Sequence, residues 1–197
     1  MARPVEFTRE EVLDKAMQAF WEHGYQGTSM ADLVEATKLN PGSIYAAFRS
    51  KEGLFLAVLD HYGARSTQRL RQALVEANSP LQGIRNYFHQ LAEDVASKKG
   101  QRSCLLVNTV LELSRQNATV QERVNHHLKV IEDLFRQAVE DSQARGELAP
   151  AQDPGALSVF LMSNIWGLRV LAGTMPTPAR TQAVVKQLLN CLPDGTA

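Results

Sequence analysis

The chain has 197 residues, of which 44% are hydrophobic and 7% aromatic, so it is long enough to bury a substantial core in one or two domains. Its 21 basic and 21 acidic residues give a net charge of zero, which excludes a bulk electrostatic attraction to nucleic acid. Its two cysteines, Cys104 and Cys191, lie far apart, so we expect no disulfide framework and a reducing, cytoplasmic setting.

The hydropathy pattern indicates neither an exported protein nor a sheet. The N-terminus carries early charges and no apolar core, so it lacks a secretory signal. The stretch from Leu157 to Ala172 is the most apolar, but it contains Asn164 and Arg169 and is shorter than about 20 residues, so we expect no transmembrane helix and no membrane partner. No segment alternates apolar and polar residues for long enough to form strands. The chain is predicted to be all-α, with about nine helices.

The first predicted helix begins after Thr8, which forms a capping-box pair with Glu11 three residues later. Gly24 is placed to end this helix with a positive φ. A broad apolar stripe lies between these two signals and consists of Val12, Leu13, Ala16, Met17, Ala19 and Phe20. The helix therefore has one face available for a small core.

Two short helices joined by a tight turn are predicted for residues 28 to 51. Ser29 caps the first helix, with Asp32 three residues later, and residues 37–39 form the turn. Asn40 caps the second helix, and Pro41 occupies its first position, where the missing N–H costs nothing. Together with a third helix that starts directly afterwards, this pattern indicates a helix-turn-helix.

The second short helix is predicted to present a small, polar surface to solvent. Its apolar residues at helical spacing, which we expect to pack inward, are Ile44, Tyr45 and Phe48. The residues expected to face outward are Asn40, Gly42, Ser43 and Ala46. Such a surface near a helix N-terminus suits the major groove of DNA.

The segment from Thr8 to Leu59 closely resembles the DNA-binding domain of the tetracycline-repressor (TetR-type) family of bacterial transcription regulators. The matching residues are Ala16, Phe20, Gly24, Tyr25, Thr28-Ser29-Met30, Gly42-Ser43-Ile44-Tyr45 and Phe48-Arg49-Ser50-Lys51-Glu52. One departure is Ala47, where many members have His or Tyr before the Phe. The resemblance implies that Thr28, Tyr45 and Lys51 hold DNA phosphates, and that the larger region contains an effector cavity.

Direct reading of bases is expected to be sparse, because Pro41, Gly42 and Ala46 have no side-chain donors. Asn40 and Ser43 supply hydrogen bonds, and Ala46 suits a thymine methyl group. The complete set of predicted DNA contacts is Thr28, Ser29, Lys38, Asn40, Pro41, Gly42, Ser43, Tyr45, Ala46, Arg49 and Lys51. Because this set contains few cations, we expect moderate, salt-sensitive affinity.

A long helix from Ser50 to about residue 78 is predicted to link a DNA-binding domain, residues 1–50, to an effector-binding and dimerisation domain, residues 51–197. The last two predicted helices carry many apolar residues, namely Leu157, Phe160, Leu161, Ile165, Leu168, Val184, Val185, Leu188 and Leu189. These residues either fill the core of a single chain or form half of a four-helix bundle across a twofold axis. Helix-turn-helix proteins usually bind paired half-sites as dimers, which favours the second interpretation.

The candidate effector-binding residues place polar or aromatic atoms in an apolar setting. They are Tyr87, Phe88, Cys104, Asn108, Glu112, His126, Asn164 and Trp166. Each also has a simpler interpretation as a residue that is hydrogen-bonded to its neighbours within a bundle. We expect a small, largely apolar effector, no cofactor and no metal site.

Cys104 suggests a second form of regulation. It lies at the start of a predicted helix, after Lys98, Lys99 and Arg102, where the helix terminus and the cations would stabilise a reactive thiolate. The competing interpretation is a small buried hydrophobic residue.

The function expected from the sequence is therefore a repressor that binds a palindromic operator as a homodimer and is released by an effector. An alternative is a redox- or electrophile-sensing repressor acting through Cys104. An enzyme is not expected, because the chain has no His-Glu-x-x-His, paired CxxC, phosphate-binding Gly-rich loop or nucleophile elbow. A helical adaptor without a DNA role is the remaining alternative.

Overall fold

The computed structural model of the protein describes residues 8–97, 104–113 and 116–192. These residues form nine helices: α1 (Arg9–Gly27), α2 (Met30–Thr37), α3 (Pro41–Phe48), α4 (Lys51–Val75), α5 (Pro80–Ala96), α6 (Leu105–Leu113), α7 (Ala118–Ala144), α8 (Pro154–Ala172) and α9 (Pro178–Leu189). The prediction of an all-α chain is confirmed.

The helices begin where side chains can cap them. Thr8 and Glu11 form a capping box at α1, and Ser29 and Asp32 form another at α2. Ser50 caps α4 by accepting a hydrogen bond from the N–H of Gly53. Each such cap contributes about 1 kcal/mol, because it satisfies backbone donors that the helix leaves free. The predicted boundaries of α1 to α4 are therefore close to the observed ones.

Two hydrophobic cores hold the helices together. The head core contains buried residues of α1, α2 and α3 and of the first half of α4, together with six residues from much later in the chain: Cys104, Leu105, Leu106, Leu113, Val120 and Val124. The body core contains Leu70 at the far end of α4 and buried residues of α5, α8, α9 and the second half of α7. The division between the cores thus crosses α4 and α7, whereas the predicted domain boundary lies at residues 50 and 51.

Polar contacts fix α4 against α7. Asp60 on α4 accepts hydrogen bonds from Arg123 and, at 2.9 Å, pairs with His127 Nε2. His127 lies directly against Gly63, where an added Cβ would be 2.4 Å from the imidazole ring. Only a residue without a side chain permits this approach.

Similar contacts fix α4 against α1. Asp14 on α1 is 2.9 Å from His61 Nε2 and accepts a hydrogen bond of 2.6 Å from Arg65. Ion pairs of this kind on a partly exposed surface contribute little each. Their position matters more, because α4 is thereby tied to both α1 and α7.

By length and hydropathy alone, α8 would be able to cross a membrane, which the sequence analysis did not expect. The helix packs against α5 and α7 through a buried face that includes Leu161 and Leu168. A buried core helix passes the same test of length and composition. The expectation that α8 is not a transmembrane helix therefore rests on its packing and not on its composition.

Gly63→Ala is expected to lower the free energy of unfolding by about 1 to 3 kcal/mol, because the new Cβ would overlap the His127 ring. The higher helix propensity of alanine offsets up to about 1 kcal/mol of this loss. The matched control is Gly155→Ala in α8, where the new Cβ has no neighbour closer than 3.6 Å. Urea unfolding that gives the two variants equal stability would contradict the close packing of α4 on α7.

Candidate nucleic-acid interface

The turn between α2 and α3 has the tight geometry of a helix-turn-helix. Lys38 adopts a left-handed conformation, with φ of 61°, and its N–H donates to the carbonyl of Val34 at 2.9 Å. The buried hydroxyl of Thr37 donates to the carbonyl of Leu33. Leu33 and Ile44 are fully buried in the head core. Because both short helices are anchored inward, α3 keeps one face on the surface.

The exposed face of α3 is wider than the sequence predicted. Pro41, Gly42, Ser43 and Ala46 are exposed, as expected. Tyr45 was expected to pack inward and is instead 50% exposed, so that prediction was wrong. Residues 44 and 48 are one helical turn apart and anchor α3 on their own, which turns the neighbouring Tyr45 towards solvent.

Asn40 has a structural role that limits what it can offer to a base. Its side-chain oxygen accepts a hydrogen bond from the N–H of Ser43 at 2.8 Å and so caps α3. Its side-chain amide N–H groups remain as donors at the exposed N-terminus of the helix. The Asn40 amide N–H groups are thus free of the cap and can donate to an acceptor on a base.

Cations lie at both ends of α3. Lys38 precedes the helix, and Arg49 follows it with φ of 69°; both are exposed. The Lys51 ammonium lies 4.4 Å from the centre of the Tyr25 ring, a cation–π contact. Burial raises the pKa of the Tyr25 hydroxyl, and the charge of Glu52 adds to this effect. This arrangement places positive charge beside the exposed helix, where phosphates run along a groove.

Thr28 and Ser29 precede α2 and differ in exposure. Thr28 is 0% exposed, and its hydroxyl donates to the carbonyl of Gly24 at 2.6 Å. The prediction that the Thr28 side chain contacts DNA is therefore not supported by its position. Ser29 is exposed, and its N–H and hydroxyl both donate to Asp32. These hydrogen bonds, the backbone one first, hold the pKa of Asp32 below its usual value.

Most of the predicted dimer-interface residues belong to the core of the single chain. The seven buried ones are Leu157, Leu161, Ile165, Leu168, Val185, Leu188 and Leu189, and this part of the prediction was wrong. Phe160 and Val184 are exposed. The sequence analysis missed Val159 and Val170, which lie on the exposed side of α8 with Phe160 and Trp166. We call this exposed set, Val159, Phe160, Trp166 and Val170, the α8 stripe.

The α8 stripe follows helical geometry. Val159, Trp166 and Val170 are spaced by seven and four residues and share one face of α8, and Phe160 lies at the edge of that face. Positions 157, 161, 165 and 168 form the buried face. A helix that is apolar all round cannot show from its sequence which of its faces meets its own core.

Three of the candidate effector residues, Tyr87, Phe88 and Cys104, lie in one region. Cys104 is 8% exposed, and its sulfur accepts a hydrogen bond of 3.5 Å from the Tyr62 hydroxyl. Burial raises the pKa of Tyr62 and of Tyr87, and Cys104 and Arg169 interact electrostatically with both phenols. Tyr87 also packs edge-on against Phe88, with ring centres 5.6 Å apart. The region is formed by α4, α5, α6 and α8.

Four of the five other candidate effector residues lie away from this region, whereas Asn108 follows Cys104 by one turn and its N–H donates to the Cys104 carbonyl at 2.9 Å. Glu112 contacts α1, where its carboxylate accepts backbone hydrogen bonds from residues 25 and 26. His126 is exposed on α7, and the Asn164 side chain donates to the carbonyl of Phe160 in its own helix. Trp166 belongs to the α8 stripe, and Asn108 is half-buried on α6. The prediction of a single set of lining residues was therefore wrong.

A crevice that the sequence analysis missed lies between α6 and α7. Its volume is about 170 Å³, and its lining residues are Thr109, Val110, Val120, Gln121, Val124 and Asn125. Sites for drug-sized ligands usually measure about 300 to 1,000 Å³, so the crevice suits only a very small molecule. In the part of the chain that the structure describes, no group of three or more His, Cys, Asp and Glu side chains is arranged to hold a metal ion.

Comparison with known proteins places this architecture. Residues 12–58 match the family model for bacterial regulatory proteins of the tetR family, and residues 80–188 match the tetracyclin repressor-like C-terminal domain. The HTH-type transcriptional repressor ComR of Escherichia coli K12 is 37% identical over 171 residues, which cover 86% of this chain and 81% of ComR.

Solved structures agree with the family match. A cysteine mutant of the TetR family regulator CifR, complexed with 26 bp double-strand operator DNA, is 33% identical and covers 98% of this chain and 100% of its own, with a TM-score of 0.87. The reduced form of NemR from E. coli shares the fold, with 23% identity and a TM-score of 0.85, and the match covers 95% of this chain and 99% of NemR. The chain therefore belongs to the TetR family of bacterial regulatory proteins.

Proposed function

We propose that the protein is a transcriptional repressor that binds a palindromic operator as a homodimer and is released by a small, largely apolar effector. The observation that carries the proposal is the exposed face of α3, which is small and polar, is capped by Asn40 and has cations at both ends. Similarity to the repressor ComR and to CifR on operator DNA supports the same activity.

Two features support a homodimer. The α8 stripe presents Phe160, Trp166 and Val170 to solvent, and Val184 of α9 is also exposed. Contiguous exposed apolar residues of this size mark association surfaces. A second copy of the chain is the natural partner, because reading a palindrome requires two recognition helices related by a twofold axis.

The effector is proposed to bind near Tyr62, Tyr87 and Cys104. Aromatic rings of Tyr87, Phe88 and Phe135 supply apolar contact area there. The two phenol hydroxyls are the polar groups that would orient a ligand in such a site, and the positive charge of Arg169 acts on both phenols. The region involves helices of both cores, so a ligand bound there would affect the packing of both.

Release from DNA follows from a shift in population. An effector that binds more tightly to dimers with wrongly spaced α3 helices reduces the fraction that fits successive major grooves, about 34 to 36 Å apart. The helix that transmits this change is α4, because it contributes to the head core and the body core. No chemical step is needed.

Lys51→Ala is expected to weaken binding to a duplex selected by the wild-type protein from a random library. The loss should be uniform across sequences, and the salt dependence should flatten by about one ion, because a phosphate contact is removed. Tyr45→Ala should weaken binding about fivefold, the equivalent of one hydrogen bond of about 1 kcal/mol.

The matched control is Lys129→Ala, which removes the same charge from α7, where Lys129 pairs with Asp133. Gel-shift titrations at several salt concentrations measure all three variants. Wild-type affinity for both Lys51→Ala and Tyr45→Ala would remove α3 and its flanks from the interface.

Trp166→Glu is expected to raise the dimer dissociation constant at least about a hundredfold, because an unpaired carboxylate would be buried in the interface. Val75→Glu is the control, because this substitution adds the same charge at the end of α4, where Val75 is 83% exposed. Sedimentation velocity distinguishes dimers from monomers. Intact dimers of Trp166→Glu would rule out association through the α8 stripe.

Electrophile or redox sensing through Cys104 is the second candidate function. The Tyr62 hydroxyl donates a hydrogen bond to the sulfur of Cys104, and Cys104 precedes α6 as predicted. Lys98, Lys99 and Arg102, the cations expected to stabilise the thiolate, lie outside the described residues. The low exposure of Cys104 restricts access by a reagent, which is why we favour a noncovalent effector.

Treatment with a mild electrophile is expected to modify Cys191, which is exposed, and to leave operator binding unchanged. Wild type, Cys104→Ser and Cys191→Ser are compared by mass spectrometry and gel shift. Release of DNA from wild type and Cys191→Ser, but not from Cys104→Ser, would establish the sensing function instead.

A further inference from the structure

The backbone of α1 is broken at Gly24. This residue has φ of 71° and ψ of 175°, which are not helical values, although helical structure continues to Gly27. A break of this kind interrupts the ladder of backbone hydrogen bonds and leaves the next N–H groups without helical acceptors. Tyr25 and Gln26 immediately follow the break, so their N–H groups need acceptors from elsewhere.

Glu112 of α6 supplies these acceptors across 86 and 87 residues of sequence. Its two carboxylate oxygens accept one hydrogen bond each, from Tyr25 at 3.0 Å and from Gln26 at 2.8 Å. Hydrogen bonds to a carboxylate are about twice as strong as neutral ones. The carboxylate therefore caps the broken helix in the way that an N-cap residue caps a normal one, but from another part of the fold.

Gly24 permits this contact in two ways. Its positive φ is a conformation that L side chains rarely adopt, and an added Cβ would lie 2.9 Å from a carboxylate oxygen of Glu112. The match between Gly24 and Glu112 is thus both conformational and steric.

Two further hydrogen bonds lie beside this contact. The side-chain amide of Gln26 donates to Gln116 at 2.7 Å, and that of Asn117 donates to Glu52 of α4 at 3.1 Å. The segment from α6 to the start of α7 therefore contacts the ends of α1 and α4 that adjoin the recognition helix. The Lys51 ammonium lies over the ring of Tyr25, 4.4 Å from the ring centre.

We propose that Glu112 is a positioning residue for DNA binding: its carboxylate holds the broken end of α1 and so sets the orientation of α3 relative to the larger domain. This proposal rests on the proposed function, because the orientation matters only if two copies read one operator. Glu112 itself need not touch DNA. Its contact with α1 replaces the effector-binding role that the sequence suggested.

The crevice between α6 and α7 is consistent with this role. Thr109 and Val110 line it and lie within one turn of Glu112 on α6. Close packing on that side would oppose displacement of α6, whereas a cavity there leaves room for it. Loss of the contact between Glu112 and α1 would then allow the DNA-binding helices to move relative to the larger domain without unfolding either core.

The test compares wild type, Glu112→Gln and Glu112→Ala on three kinds of duplex. These are the operator selected by wild type from a random library, the same operator with its half-sites moved one base pair apart or together, and a single half-site. Glu112→Gln keeps the shape of the side chain, so it is informative even where Glu112→Ala unfolds.

For both variants we expect about tenfold weaker binding to the selected operator, unchanged binding to a single half-site and a smaller penalty for altered spacing. The control is Glu122→Gln, which removes the same charge from an exposed position on α7. Charge alone would act in the opposite direction, because loss of a negative charge favours DNA binding.

Hydrogen exchange provides a readout that does not require DNA. The amides of Tyr25 and Gln26 should exchange faster in both Glu112 variants, while amides in the body core remain protected. Wild-type spacing preference in Glu112→Gln, or an equal loss on all duplexes, would overturn the positioning role. Failure of wild type to select any duplex would instead overturn the proposed function.

Discussion

Continuity of α4 through both hydrophobic cores is the constraint on which the rest of the structure depends. Leu54, Phe55, Val58 and Leu59 of this helix fill the head core, whereas Leu70 fills the body core. Because α4 is a continuous helix that contributes to both cores, a displacement of one core is transmitted to the other along this helix. Contacts of α4 with Asp14 on one side and with His127 on the other reinforce this coupling.

The head core is built from sequence-distant parts. Residues of α6 and of the start of α7 are buried among those of α1 and α4, so helices from later in the chain complete the head core. The head core is thus a structural unit built from the N-terminal helices and from residues 104–124 in the middle of the chain. That arrangement explains why a carboxylate on α6 can cap a break in α1.

Local signals predicted the helices well, because capping and proline positions depend on residues close together in sequence. Ser29 and Asp32 form the cap that their spacing indicated, and Gly24 has the positive φ that its place at a helix end suggested. Proteins obey such rules wherever the backbone must satisfy its own donors. The position of α3 on the surface followed from the same reasoning.

Tertiary contacts defeated the predictions that depended on them. Thr28 was expected to contact DNA because of the family resemblance, and Tyr45 was expected to pack inward because of its spacing, but the neighbouring helices bury the first and expose the second. Glu112 carries no local sign that its partners lie near residue 25. In α8, apolar residues surround the helix, so the sequence could not tell Leu161 in the core from Val170 on the surface.

If two chains associate through the α8 stripe, as we propose, repression depends on the concentration of the protein in the cell. When most chains are single, the number of pairs grows with the square of their concentration, so halving the supply reduces the paired form about fourfold by mass action. A gene controlled in this way responds more sharply to dilution during growth than one controlled by a monomer. Under this proposal, exposed tryptophan and valine side chains on one helix would influence the timing of gene expression as well as its level.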